Sequence, residues 1–435
     1  MKPFSPKSFL PSLRGGSIKK WTRLSGQVAG LQVLIQGVNA VTGLIFVRYM
    51  AKDDYAWFTL AASLLATLNL LGDGGVSTGL TAIGGRVHDQ PGPFARLLQQ
   101  GLRLSLRLTV IGFVLAVPLF YGLYVRIGAS TGLTLAALVL AGLAAWPSVA
   151  TVMLNVANRL HTRVGVIQLG DVMSALVRLV ITSVLWLGGW LAVLPALLAT
   201  VLAGWAQALL IRVRSRHFLE SPATDVSYQP ELHGFVRSLY GNHVFFCLQA
   251  QVATWIIGWL AGSAEVADLG ALARLGVLFS IISAPFYYVA VPALARIHSI
   301  AVLRRKFLLT FAAGGAVVLL ITGSSWVFPR PLLWLLGGNY SHLTIELPVA
   351  LAAQGLTFLN TLSWNLLLMR QWVKKPWIVI PLTFVGYVFG AVFLDLSRVD
   401  GVLWFSVASI IPSFGYGTIA VATKLKWSVD AQDRF

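Results

Sequence analysis

The chain has 435 residues and a formal net charge of +18, yet only 11% of its residues are charged and 57% are hydrophobic, with a mean hydropathy of +0.77. Ordinary soluble domains are about 25% charged, so these values exclude a soluble globular fold. The basic excess is divided among short gaps between apolar runs, which excludes the nucleic-acid partner that +18 would otherwise suggest.

Residues 1–23 carry Lys2, Lys7, Arg14, Lys19, Lys20 and Arg23. The apolar run behind them is too long for a secretory signal and lacks a clear cleavage pattern, so the segment is expected to be a retained cytoplasmic arm. Apolar runs follow at roughly 25–48, 55–84, 105–127, 131–157, 164–189, 191–211, 235–261, 267–294, 305–328, 346–369, 376–396 and 401–423. Runs of about 20 apolar residues span a bilayer as helices, because in lipid the backbone must satisfy its own hydrogen bonds. The runs are continuous rather than alternating, which excludes a membrane β-barrel. The expected fold is an all-α polytopic membrane protein with about twelve transmembrane helices. Its thinnest division is at Gly188, Gly189 and Trp190. The single cysteine, Cys247, lies in an apolar run, so no intramolecular disulfide forms and the thiol reads as a small buried apolar group.

Most of the 33 Lys and Arg residues fall in alternate gaps: the arm, the gaps after the even-numbered spans, and the C-terminal tail. The opposite gaps hold only Arg48, Lys52, Arg126, Arg274, Arg330 and Arg398. This asymmetry predicts that both termini are cytoplasmic. The longest polar stretch, 213–233, lies midway along the chain. It predicts an N-terminal six-helix bundle (24–212), a cytoplasmic linker (213–233), a C-terminal six-helix bundle (234–423) and a cytoplasmic tail (424–435). A faint internal echo agrees: span 2 runs from Tyr55 to Arg86-Val87-His88, and span 8 from Val266 to Arg296-Ile297-His298. Repeated halves with the substrate path between them are common in transporters.

Ionisable and polar groups at bilayer depth are costly and therefore candidates for function. Arg178 stands near the middle of span 5, with Asp171 two turns away on the same face; the bland alternative for Arg178 is a buried ion pair with an acid on a neighbouring helix. Asp73 sits within Gly72-Asp73-Gly74-Gly75; it either binds H⁺ or Na⁺ beside a helix break or caps freed backbone N–H groups. Gln32, Gln36 and Asn39 form a polar stripe on span 1, and Asn242, His243, Gln249 and Gln251 mark span 7, the corresponding first helix of the second half. Such stripes line a watery cavity or join helices by hydrogen bonds. Asn360, Ser363 and Asn365 extend the pattern in span 10. Arg48, Arg237 and Arg274 lie near span ends, where snorkelling to headgroups competes with a cavity role. The seven His show no metal spacing and there is no Walker A motif, so no metal, no cofactor and no ATP hydrolysis are expected.

Three stretches carry a family resemblance. Arg48-Tyr49-Met50-Ala51-Lys52-Asp53-Asp54-Tyr55-Ala56-Trp57-Phe58, followed by Leu71-Gly72-Asp73-Gly74-Gly75-Val76, resembles the first hairpin of polysaccharide flippases, the O-antigen and exopolysaccharide repeat-unit exporters of the MATE-like MOP superfamily. Trp57 stands near where that family has Gly, and Gly74-Gly75 replaces Leu-Gly. Ala264-Glu265-Val266-Ala267-Asp268-Leu269, leading to Pro292-Ala293-Leu294-Ala295-Arg296, is similar to a second family segment, with Val291 in place of an aromatic; Leu335-Leu336-Gly337-Gly338-Asn339-Tyr340 is similar to a third. The resemblance implies a V-shaped transporter of two six-helix bundles working by alternating access. It further implies an undecaprenyl-diphosphate-linked oligosaccharide as substrate, moved from the inner to the outer leaflet of a bacterial inner membrane without covalent chemistry. Arg178 would then hold the diphosphate or an acidic sugar, since its fork binds phosphate oxygens two at a time. Gln32, Gln36, Asn39, Asn242, Gln249, Asn360, Arg48, Arg237 and Arg274 would line the substrate cavity, and Asp73 and Asp171 would couple H⁺ or Na⁺. The phospholipid bilayer, a polysaccharide polymerase and other assembly proteins are the implied partners. Two alternatives stay open: a membrane-embedded glycosyltransferase or polymer ligase using Asp53 and Asp54, and an ion-coupled exporter of small cationic drugs on a related fold, which needs buried carboxylates and which Arg178 would oppose.

Overall fold

The computed structural model describes residues 16–220, 226–286, 290, 294, 297, 299–370, 372 and 376–432. The expected segment around Val291, Pro292 and Arg296 lies largely outside them, as do most of the arm and the extreme C-terminus. Among the described residues the chain is helical, without strands: α1 (Gly16–Tyr49), α2 (Lys52–Asp73), α3 (Val76–Val87), α4 (Pro91–Arg126), α5 (Thr131–Leu160), α6 (Val164–Leu187), α7 (Val193–Ser215), α8 (Gln229–Leu260), α9 (Ser263–Leu275), α10 (Val277–Pro285), α11 (Ile300–Val327), α12 (Pro329–Leu336), α13 (Glu346–Met369), α14 (Val379–Phe393) and α15 (Val399–Gln432).

Nine of the described helical segments are long and apolar enough to cross a membrane, and ten if the bent α8 counts as one span. The protein is therefore a multi-pass membrane protein. The difference from the expected twelve has a local cause at each remaining helix. α13 is long enough but carries Gln354, Asn360, Ser363 and Asn365, which lower its hydropathy. α14 is strongly apolar but only 15 residues long. The thin division at Gly188 is a true break: Gly189 takes a positive φ of 73° between α6 and α7.

The run expected as one span over 55–84 breaks in its second half. Gly74 (φ 48°) closes α2 in the left-handed conformation and Gly75 (φ 94°) opens α3, a backbone that only glycine adopts without strain. Small residues also set helix spacing. A Cβ on Gly386 of α14 would stand 2.4 Å from the Ala408 carbonyl oxygen of α15, so the two backbones touch. The other face of α14 presents Phe384, Val385, Val388, Phe389, Val392 and Phe393 outward, the last 70% exposed; in a bilayer this face meets acyl chains.

The helices alternate between two ends. At the basic end, α3, α4, α5 and α7 converge on a core of Leu80, Ile83, Phe94, Leu97, Met153, Leu154, Ile211 and Phe218, joined by Leu232 of α8. An Arg86–Glu231 ion pair ties α3 to α8 there. At the opposite end the start of α2 packs on α9, with Tyr55, Tyr124, Val266, Tyr340 and Leu343 buried in the main core. Between these ends lies a cavity.

Candidate functional site

The cavity has a volume of about 500 Å³, within the range of roughly 300–1,000 Å³ usual for small-molecule sites. It is lined by α1, α2, α5, α6 and α7 together with α9, α10 and α13. Phe46, Phe58, Leu65, Leu140, Leu197 and Val277 form apolar wall, and Gln36, Asn39, Thr42, Asn69, Thr200, Ser280 and Gln354 supply neutral polar groups.

Two cations complete the lining, Arg178 and Arg274. With a rise of 1.5 Å per residue, Arg178 lies about 14 Å below the far end of α6 and Arg274 about 16 Å below the matching end of α9, so both sit near the middle of a ~30 Å hydrocarbon layer. Arg178 Nη2 donates to Asn39 Oδ1 on α1, while its Nε is buried without a hydrogen-bond partner. Arg274 Nε donates to the Tyr55 hydroxyl at 3.2 Å, and its guanidinium stands 5.8 Å from the centre of the Phe58 ring. Among the described residues neither arginine has a carboxylate within ion-pair distance, and no acid lines the cavity. Cations at bilayer depth without counter-ions are costly. Asn69 Oδ1 is also buried without a partner.

The remaining sequence candidates fall elsewhere. Gln32, on the α1 stripe, is half-buried but does not reach the cavity. Asn242 and Gln249 of α8 are likewise half-buried away from it. The polar groups of α8 instead fasten it to α2: Ser63 Oγ donates to Gln251 Oε1 at 2.7 Å, and Trp255 Nε1 to Ser63 Oγ at 3.1 Å. Asn360 joins α13 to α15 through the Ser413 hydroxyl at 3.2 Å. Arg48 is held at the end opposite the basic one, donating to the Trp334 carbonyl at 3.0 Å over that residue's ring. Arg237 lines an open groove at the basic end with Leu108, His233, Val236 and Tyr240.

Asp73 accepts from the Ser77 N–H at 2.9 Å and the Ser77 hydroxyl at 2.8 Å, so its carboxylate caps the first turn of α3. The His243 imidazole of α8 stands 4.0 Å away. Asp171 accepts from Gln207 Nε2 of α7 at 2.8 Å. Arg274 was expected near a span end, but α9 begins at Ser263 and carries it to mid-depth. The cavity groups not singled out from sequence, above all Asn69 and Gln354, are polar residues within apolar runs; the rule that exposed Arg178 also applies to them.

No known family profile matches the chain, and no curated protein sequence matches it. Solved structures do. An inward-facing multidrug resistance MATE family transporter of the MOP superfamily superposes with a TM-score of 0.69 at 15% identity, over 92% of this chain and 99% of that one. The lipid II flippase MurJ, in an inward closed conformation, gives 0.68 at 10% identity over 92% and 87%. A MOP superfamily transporter from Pyrococcus furiosus, described as having a binding pocket of reversed polarity, gives 0.59 at 17% over 94% and 96%. Across nearly its whole length, the chain has the fold shared by MATE family transporters and MurJ.

Proposed function

We propose that the protein is a flippase that carries an undecaprenyl-diphosphate-linked oligosaccharide from the inner to the outer leaflet of a bacterial inner membrane by alternating access, without covalent chemistry. The observation that carries this reading is the pair Arg178 and Arg274, reaching one cavity from α6 and α9 with no acid in its lining among the described residues. A diphosphate crossing low dielectric needs such partners, and the neutral polar lining suits sugar hydroxyls. The fold supports the reading, since one protein that shares it is a lipid II flippase. In this reading the basic end is cytoplasmic, where each Lys or Arg near the surface adds roughly 1 kcal/mol of attraction for anionic lipid. The two moving bodies are residues 24–212 and 234–423, joined by the linker 213–233. H⁺ or Na⁺, acting at Asp171, and the polymerase and other assembly proteins belong to the same proposal; Asp73, whose carboxylate caps α3, is the competing coupling site.

A second reading, an ion-coupled exporter of small molecules, is favoured by the cavity's drug-sized volume and by the MATE fold. A cationic cargo would need carboxylates in the cavity, and its lining has none among the described residues. The transferase reading rests on Asp53 and Asp54; Asp53 accepts a hydrogen bond from the Ser263 hydroxyl of α9. The deciding experiment measures lipid-linked saccharides in a strain lacking the protein. Complete repeat units trapped on the inner leaflet establish the flippase. Truncated units, or complete units already outside, indicate a transferase or polymerase, and an unchanged pool indicates the exporter.

A further inference from the structure

The two arginines of the cavity come from different sets of helices, Arg178 from α6 and Arg274 from α9. Their convergence therefore depends on how closely α2, which packs within the first set, is held against α9. That contact is built at the end opposite the basic one. Lys52, in the first turn of α2, pairs with Asp268 of α9 at 2.8 Å. Asp268 is only 5% exposed and is also met by His342 Nε2 at 2.9 Å. One turn further along α2, on the same face, the buried Tyr55 hydroxyl donates to the Gly270 carbonyl of α9 at 3.1 Å and accepts from Arg274 Nε at 3.2 Å. At Gly270 the helices touch: a Cβ there would lie 2.5 Å from Thr59 Oγ1 of α2. One phenol thus joins the closure between the helix sets to a cation of the cavity.

We propose that closure of this end and the anion site form one coupled device, in which the Lys52–Asp268 ion pair keeps α2 on α9 and Tyr55 acts as the positioning residue that aims Arg274 toward Arg178. The inference rests on the reading of the cavity as an anion site. Parting α2 from α9 removes the Tyr55 hydroxyl from Arg274 and draws the two guanidinium groups apart. The site is then complete while this end is shut and dismantled as it opens, so release follows from the opening itself. The differential contacts that let an anion favour the shut state are therefore Tyr55–Arg274 and the approach of Arg274 to Arg178.

The test uses the full-length protein in nanodiscs, with inorganic diphosphate as the probe and spin labels at two exposed positions of the same end, Gly132→Cys and Asn339→Cys. Lys52→Asp is expected to lengthen the label distance and to weaken diphosphate binding at least tenfold. The exchange Lys52→Asp/Asp268→Lys restores both, which separates a lost ion pair from a misfolded variant. Tyr55→Phe keeps the ring and the label distance but weakens binding about tenfold, the low end of a hydrogen bond to a charged group; a merely structural role would alter melting temperature and label distance instead. Opening by Lys52→Asp with unchanged affinity, no opening in that variant, or parental affinity in Tyr55→Phe overturns the coupling while leaving the anion site standing. Failure of the parent protein to bind diphosphate overturns the anion site, and the coupling with it.

Discussion

Among the described residues, Arg178 and Arg274 are the basic side chains that line the central cavity. Arg48 and Arg126 end on backbone carbonyls near helix termini, where water and headgroups are close. Arg178 is committed to one amide oxygen, with its Nε left over. Arg178→Gln keeps a polar side chain beside Asn39 but removes the charge. Diphosphate binding is expected to fall at least tenfold with the melting temperature little changed, and Arg178→Lys should fall between, since an ammonium lacks the two-pronged geometry. Calorimetric titration with diphosphate checks both. Arg178, Gln36 and Asn39 were legible because polarity inside an apolar run is conspicuous in one dimension. The pairing of Arg178 with Arg274 was not, because it arises between helices far apart in sequence. Asp73 is the instructive case: the sequence left coupling and capping open, and the carboxylate is occupied by Ser77. Asp73→Asn preserves a capping oxygen and is expected to keep both transport and stability, whereas Asp73→Ala should lose about 1 kcal/mol of stability. Loss of gradient-driven transport in Asp73→Asn at unchanged melting temperature would instead assign Asp73 the coupling role.

At the level of elements, hydropathy located the helices because lipid forces each apolar run to satisfy its own backbone. It located their ends less well, since many extend past the hydrocarbon layer. α4 runs from Pro91 to Arg126 where 105–127 was expected, its first turns joining the core at the basic end. The break within 52–87 was foreshadowed by three glycines around Asp73. The close approach of α14 to α15 was not, because which glycine meets which backbone depends on helix rotation. Gly386→Val places a branched side chain against the Ala408 carbonyl. It is expected to destabilise the protein by about 1–3 kcal/mol through overpacking, while Gly315→Val, on an open face of α11, should change stability far less. Melting curves of the two purified variants make the comparison; equal losses would mean that α14 and α15 are not packed at Gly386.

At the scale of the whole molecule, orientation decides what the cavity does. In the proposed orientation, taken from the Lys and Arg asymmetry, the basic end is cytoplasmic, and the proposed substrate is collected there. The same orientation would put the Lys52–Asp268 ion pair on the outside, and in the proposed coupling its loss would open an exit. Glu220 follows α7 at the basic end, and Asn339 follows α12 at the other; both are exposed, whereas the native Cys247 is buried. A membrane-impermeant maleimide added to intact cells should therefore label Asn339→Cys and leave Glu220→Cys unmodified until the cells are permeabilised. The reverse pattern would place the linker and the basic groove around Arg237 outside and turn the Lys52–Asp268 closure toward the cytoplasm. The same two-arginine cavity would then be closed on the side where cargo is made, and an export role would require the closure to open for loading rather than release.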